Sequence, residues 1–145
     1  MFNNILMVCI GNICRSPSAE YLLKHKLAHK PNTIIHSAGL GALVDKPIDP
    51  SAGQLLIDNG VDASEHRARQ LTTEMLLQAD LILVMEQRHI KGVTDLAQQV
   101  SGKTFLLGKW SENQPVPDPY RKSVEAFEHV YGQIDKFTDD WLKYL

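Results

Sequence analysis

Leu6-Met7-Val8-Cys9-Ile10-Gly11-Asn12-Ile13-Cys14-Arg15-Ser16-Pro17 is the stretch that decides how this chain folds. An apolar run from Ile5 to Val8 ends in Cys9, and a helical pattern begins at Pro17. The loop between them carries a thiol at one end and the guanidinium of Arg15 at the other. In an open α/β sheet, ligands bind in the crevice beyond the carboxyl ends of the strands. The helix that follows turns its unpaired N–H groups and the positive end of its dipole toward that crevice. Ser16 is expected to cap the helix, with Pro17 at its first position, where no N–H is needed. Gly11 is expected to supply backbone angles closed to other residues, so that several N–H groups converge on one point. Ile10, Gly11, Asn12, Ile13 and Cys14, with Ser16, are therefore the candidate anion-binding groups. Arg15 can grip two oxygens of a phosphoryl group at once. Cys9, in this positive field, is expected to be a nucleophile in its thiolate form.

Each residue alone has a plainer reading. A single Cys at a strand end is commonly a small buried hydrophobe, and a single Arg is commonly a solvated charge. Cys, Gly, Arg and Ser together between a strand and a helix reverse that preference. The rest of the composition bounds the chemistry. The chain of 145 residues is long enough for one domain, 1–145, with a sizeable core. A net charge of −2 does not suggest a nucleic-acid partner, so attraction of an anionic substrate must be local. There is no apolar run long enough to span a membrane and no signal peptide, and only two Cys, so a reducing, cytoplasmic setting is expected. The six His are scattered, without the spacing of a zinc site; neither a metal nor another cofactor is expected.

Read in order, the chain alternates strand and helix. Strands are expected at 3–9, 33–37, 80–85 and 103–107, and helices at 17–29, 50–59, from a cap at Thr72 or Thr73 through Gln78, 86–99 and 122–144. That rhythm predicts an α/β fold: a four-stranded parallel sheet with helices on both faces and a phosphate-binding loop after the first strand. Ala38-Gly39-Leu40-Gly41 leaves the second strand at its carboxyl end, which makes Leu40 a candidate wall for an aromatic ring.

Thiolate attack on a phosphate ester expels an alkoxide or phenolate that needs a proton. Asp118 is the candidate acid. It lies in Pro115-Val116-Pro117-Asp118-Pro119-Tyr120, whose three prolines stiffen the loop after the fourth strand. Walls at Leu40 and Tyr120 would admit a long aryl phosphate better than a phosphoserine.

Residues 8–20, Val-Cys-Ile-Gly-Asn-Ile-Cys-Arg-Ser-Pro-Ser-Ala-Glu, resemble the signature of the low-molecular-weight protein tyrosine phosphatases. The likeness is strongest to the bacterial members encoded with capsule or exopolysaccharide export genes. It continues in 36–40, 66–70, Met85-Glu86 and 117–122. The resemblance implies a cysteinyl-phosphate mechanism with Cys9, Arg15 and Asp118 as the catalytic groups. It also implies that Ser16 stabilises the thiolate, and that His66, with Asn12 and Ser37, braces the phosphate loop from behind. The partner it implies is a phosphotyrosine protein, the tyrosine-rich tail of a membrane-bound autophosphorylating kinase. Many family members carry a second aromatic residue after the Tyr; here that position is Arg121, which suggests a preference for acidic or multiply phosphorylated segments. Cys14 is either packing beneath the loop or a reversible disulfide partner for Cys9. An arsenate reductase would need relay cysteines downstream, and there is none after Cys14. A non-catalytic phosphotyrosine-binding module stays open as the alternative, although such modules have no need of a nucleophile.

Overall fold

A computed structural model describes residues 2–145. Strands β1 (Asn4–Cys9), β2 (Ile34–Gly39), β3 (Leu81–Val84) and β4 (Thr104–Leu106) form one parallel sheet in the order β2-β1-β3-β4. The helices are α1 (Arg15–Lys26), α2 (Pro50–Asp58), α3 (Thr73–Gln78), α4 (Gln87–Leu96) and α5 (Val124–Trp141). Alternation along the central strands divides the core into two layers. Ile5, Met7, Cys9, Leu81 and Leu83 face one way, onto Leu22 and Leu23 of α1, Leu56 of α2 and Phe127, Ile134 and Phe137 of α5. Leu6, Val8, Ile82 and Val84 face the other way, onto Leu76 of α3 and Val93 of α4. Both faces of β1 and β3 are thus dry, which is why these strands read as unbroken apolar runs.

The chain passes from β1 to β2 on one side, then crosses back to β3 on the other. This reversal opens a crevice at the carboxyl end of β1, the switch point where α/β sheets bind ligands. Asp80 sets the level of β3 against β1: its Oδ2 accepts from the N–H groups of Asn3 and Asn4, both at 2.9 Å.

Several boundaries differ from the sequence expectation. α1 begins at Arg15, and its N-cap is Cys14, with no side chain capping it. Ser16 therefore does not cap the helix; its hydroxyl is inside the first turn and is used by the loop. Thr72 caps α3 by accepting from Met75 N–H, and Ser123 caps α5 by accepting from Ala126 N–H. The expected 86–99 helix stops at Leu96, and a 3-10 segment, Gln98–Lys103, leads into a shortened β4. Gly92 inside α4 has a steric reason: a Cβ there would come within 2.9 Å of Leu40 Cδ1. Leu40 thus packs against α4.

Gly39, the last residue of β2, is the tightest contact between sheet and loop. A Cβ there would lie 2.2 Å from the Ile10 carbonyl oxygen, which is backbone and cannot swing aside. Gly39→Ala is expected to destabilise the protein by about 1–3 kcal/mol, as overpacking does. It should also displace the loop at Ile10. Equilibrium urea unfolding measures the first effect, and an unchanged midpoint would show that β2 does not press on the loop.

Candidate active site

The loop from Cys9 to Arg15 is built by disposing of its carbonyl groups. Cys9 O accepts from Leu40 N–H at 2.9 Å, Ile10 O from Gly41 N–H at 3.0 Å, and Gly11 O from Leu43 N–H at 3.0 Å. Ile13 O accepts from Asp49 N–H at 2.8 Å, and Cys14 O from Ser18 N–H at 3.1 Å. The Asn12 carbonyl accepts from His66 Nε2 at 2.7 Å. Every carbonyl from 9 to 14 is thereby turned outward and paired. The N–H groups of residues 10–14 are engaged by none of these neighbours and are left for an anion. The left-handed residue of the loop is Asn12, with φ 60°, not Gly11. Asn tolerates that region better than most residues, and the His66 hydrogen bond holds it there.

Asn12 also fixes the direction of a buried chain of hydrogen bonds. Its Oδ1 accepts from Arg69 N–H at 2.9 Å. Its Nδ2 donates to Ser16 Oγ at 2.8 Å and to Ser37 Oγ at 2.9 Å. Ser37 then donates to Glu20 Oε1 at 2.5 Å. Ser16, already an acceptor from Asn12, has its own proton free for Cys9 Sγ, 2.8 Å away. With Cys9 as a thiolate, the sulfur is the final acceptor of the chain. Asn12, Ser16, Ser37, His66 and Glu20 are all buried.

Arg15 is 2% exposed, and its charge is balanced at once. Nη1 donates to Glu86 Oε2 at 2.5 Å and to the Val116 carbonyl at 2.9 Å. Nη2 lies 4.0 Å from Asp118 Oδ2. Glu86, just beyond β3, was legible only as part of a matching block; its role is a contact across 71 residues of sequence. Burial works to raise its pKa, but hydrogen bonds from Arg15 and Arg88 outweigh that and hold it below the usual carboxylate range. Val116 N–H donates to Met85 O at 2.9 Å, which moors the proline loop to the end of β3. Asp118 Oδ1 accepts from Tyr120 N–H at 3.0 Å, so the carboxyl is held over the cleft by its own turn.

Cys9, the loop to Arg15, Asp118 and Tyr120 line a cavity of about 200 Å³. Cys9 is 3% exposed at its floor, while Asp118 and Tyr120 stand at its open edge. The structure thus brings together Cys9, Ile10, Gly11, Asn12, Ile13, Cys14, Arg15, Asp118 and Tyr120. Ser16, Ser37 and His66 stand behind the loop rather than in the cavity. Leu40 is not a wall: its side chain joins the core under α4, against Gly92, and Gly41 and Leu43 line the cavity instead. Leu43 is 43% exposed, and only its place three residues further along the same loop hinted at it. Cys14 is a free thiol, as is Cys9. Burial foremost, and then the negative charge of Asp49, push the Cys14 thiol upward.

The cavity thus sets a strand-end thiol beneath a loop rich in unengaged N–H groups, with a buried guanidinium beside it. Residues 4–145 match the family described as low molecular weight phosphotyrosine protein phosphatase, and the chain belongs to that family. It is 49% identical to the low molecular weight protein-tyrosine-phosphatase Etp of Escherichia coli K12 over 144 residues, 99% of this chain and 95% of that protein. The fold is similar to the crystal structure of the Erwinia amylovora tyrosine phosphatase AmsI, with a TM-score of 0.95, 47% identity, and 100% and 94% of the two chains covered. It is likewise similar to Vibrio vulnificus Wzb in complex with benzylphosphonate, with a TM-score of 0.94, 44% identity and 100% of both chains covered. Among the described residues, no helix is long and apolar enough to cross a membrane.

His89, in the first turn of α4, is fully buried beside Glu86 and was not expected from sequence. Burial foremost, and then the Arg15 charge, lower its pKa from 6.5 to about 4. The folded value lies below the unfolded one, so between about pH 6.5 and pH 4 only the unfolded chain takes up the proton. Stability should fall as pH drops through that window and level off below it, with His89 contributing about 3 kcal/mol. Urea unfolding of wild type and His89→Gln at pH 7, 5.5 and 4.5 measures this. The wild type should lose more stability than the variant; parallel losses would contradict the assignment.

Proposed function

We propose that this protein hydrolyses phosphotyrosine in protein substrates through a cysteinyl-phosphate formed on Cys9. The observation that carries the reading is the pairing of a floor and a lid. Cys9 Sγ, with Ser16 donating to it, sits below the loop N–H groups, and the Asp118 carboxyl stands at the edge of the same cavity. In the first step Cys9 sulfur attacks phosphorus, forming the S–P bond as the bond to the phenolic oxygen breaks. Arg15 and the N–H groups of residues 10–14 hold the equatorial oxygens. Asp118 gives its proton to the departing phenolate. In the second step a water, deprotonated by Asp118, attacks phosphorus; the S–P bond breaks, and phosphate leaves as the thiolate is restored.

Tyr120 and Leu43 give the cavity an apolar edge suited to an aromatic ring. The benzylphosphonate held by the Vibrio vulnificus relative, an aromatic ring one carbon from a phosphonate, supports an aryl phosphate as substrate. The proposed partner is the tyrosine-rich tail of a membrane-bound autophosphorylating kinase that controls capsule or exopolysaccharide export, with the phosphatase acting from the cytoplasm. A nucleophile that must remain a thiolate suits a reducing compartment. Arg121 supports a densely phosphorylated or acidic target. It has φ 62°, stacks with Cζ 5.2 Å from the Tyr120 ring centre, and takes part in no ion pair among the described residues.

Turnover of p-nitrophenyl phosphate with EDTA present tests the chemistry. Cys9→Ser should abolish it, and Asp118→Ala should lower it by about 10²–10⁴-fold. The Asp118→Ala loss should be larger for phenyl phosphate, whose leaving group needs the proton more. A wild type that binds phosphotyrosine peptides without turning them over would establish a binding module instead.

Substrate flank preference is tested with phosphotyrosine peptides carrying acidic or neutral neighbours. Arg121→Ala should lower kcat/KM for the acidic peptide by about 2–5-fold relative to the neutral one, the scale of an exposed charge pair, and added salt should erase the difference. An equal effect on both peptides would remove Arg121 from substrate selection.

A further inference from the structure

One carboxylate oxygen, Glu86 Oε2, is shared by three nitrogens. It accepts from Arg15 Nη1 at 2.5 Å and from Arg88 Nη2 at 3.2 Å, and His89 Nε2 faces it at 3.6 Å. The other ring nitrogen of His89 settles the tautomer: Nδ1 accepts from Glu86 N–H at 3.2 Å, so Nε2 carries the proton. That Nε2–H is buried and, among the described residues, has no hydrogen-bond partner. A contact of 3.6 Å is too long to count as a hydrogen bond, and an unpaired buried donor is costly. Glu86 Oε2 is the carboxylate oxygen that faces it, at 3.6 Å.

A residue that merely capped α4 would need only an acceptor at this position, where Glu and Gln serve well. His89 offers the acceptor and, on the opposite side of its ring, a neutral donor aimed at the counter-ion of the phosphate-binding arginine. We propose that His89 is a positioning residue of the phosphate site: its Nε2–H steadies Glu86 Oε2 and so fixes the Arg15 guanidinium. The inference rests on the phosphatase reading above. Neutrality is part of the function. A second cation in the pocket, beside Arg15 and Arg88, would compete for the carboxylate that Arg15 requires. Burial and the Arg15 charge keep the imidazole neutral above about pH 4. Hydrogen bonds of a catalytic site commonly tighten when a ligand engages it. When phosphoryl oxygens engage Arg15, the Nε2–H to Oε2 contact should close.

Three variants separate positioning from capping. His89→Gln keeps an acceptor for Glu86 N–H and a donor for Oε2. His89→Glu keeps the acceptor but removes the donor. His89→Leu removes both. With p-nitrophenyl phosphate as substrate and inorganic phosphate as competitive ligand, His89→Glu and His89→Leu should lose about 10-fold in kcat/KM and bind phosphate about 5-fold more weakly, the scale of one hydrogen bond acting through a misplaced guanidinium. His89→Gln should recover most of both. Activity and phosphate affinity in His89→Glu equal to wild type would reduce His89 to a cap and overturn the proposal, as would a His89→Gln as impaired as His89→Leu.

The unaltered protein gives a reading that does not depend on the variants folding. The ¹⁵N resonance of His89 Nε2 should shift as phosphate is titrated in, and no shift at saturation would overturn the proposal. A wild type with no turnover in the same assay would count against the phosphatase reading instead, so the two failures are distinguishable.

Discussion

The buried guanidinium of Arg15 is the constraint on which the rest of this structure depends. Stripping an arginine of water costs several kcal/mol unless its charge and its N–H groups are met by partners of good geometry. Here the partners come from separate places in the chain. Arg15 begins α1 after β1, Glu86 follows β3, and Val116 lies in the loop after β4. One side chain therefore ties three strand ends together at the switch point of the sheet. The same ties leave Nη2 on the cavity side, 4.0 Å from Asp118. The residue that braces the crevice thus also presents a guanidinium nitrogen to the cavity.

The thiol side of the cavity obeys a different logic. Arg15 is met by full charge, whereas Cys9 is reached through neutral groups whose donor directions are forced. Asn12 can satisfy Arg69 N–H only through Oδ1, so its amide nitrogen must face Ser16 and Ser37. Ser16 then has one proton left, and Cys9 Sγ is where it can go. A single left-handed residue, Asn12, makes this geometry possible, and His66 locks its carbonyl from behind. A reversal of the Asn12 amide would break three hydrogen bonds at once, which fixes its orientation.

How much of this was legible in the sequence follows the distance over which each contact acts. Cys9, Arg15 and the strand-loop-helix that joins them form a local pattern, and Asp118 is announced by its prolines. The alternating layers of the sheet are likewise written in Leu6, Met7 and Val8. The contact of Glu86 with Arg15, and the burial of His89 beside Glu86, were not legible, because nothing near them in sequence points to Arg15. Local rules also misled where tertiary contacts overrode them. Ser16 looks like a cap, but its hydroxyl is drawn to Asn12 and Cys9, and Cys14 takes the N-cap position. Gly11 looks like the strained residue, yet Asn12 adopts the positive φ. Leu40 looks like a pocket wall, but a glycine 52 residues away in α4 makes room for it in the core.

The floor and the rim of the cavity are made of different material. Cys9, Asn12, Arg15 and Ser16 are buried, and their side chains are held by hydrogen bonds to named neighbours. Asp118, Tyr120 and Arg121 sit on a loop held down mainly at Val116, and their side chains meet solvent. A change at the floor must disturb several hydrogen bonds together, so the floor admits little variation in chemistry. A change at the rim disturbs one turn and one cation–π contact, Arg121 over Tyr120. Reactivity is therefore built into the part of the fold that cannot move independently. The rim, by contrast, can vary without disturbing the core: Arg121 is exposed and, among the described residues, takes part in no ion pair, its side chain resting on the Tyr120 ring.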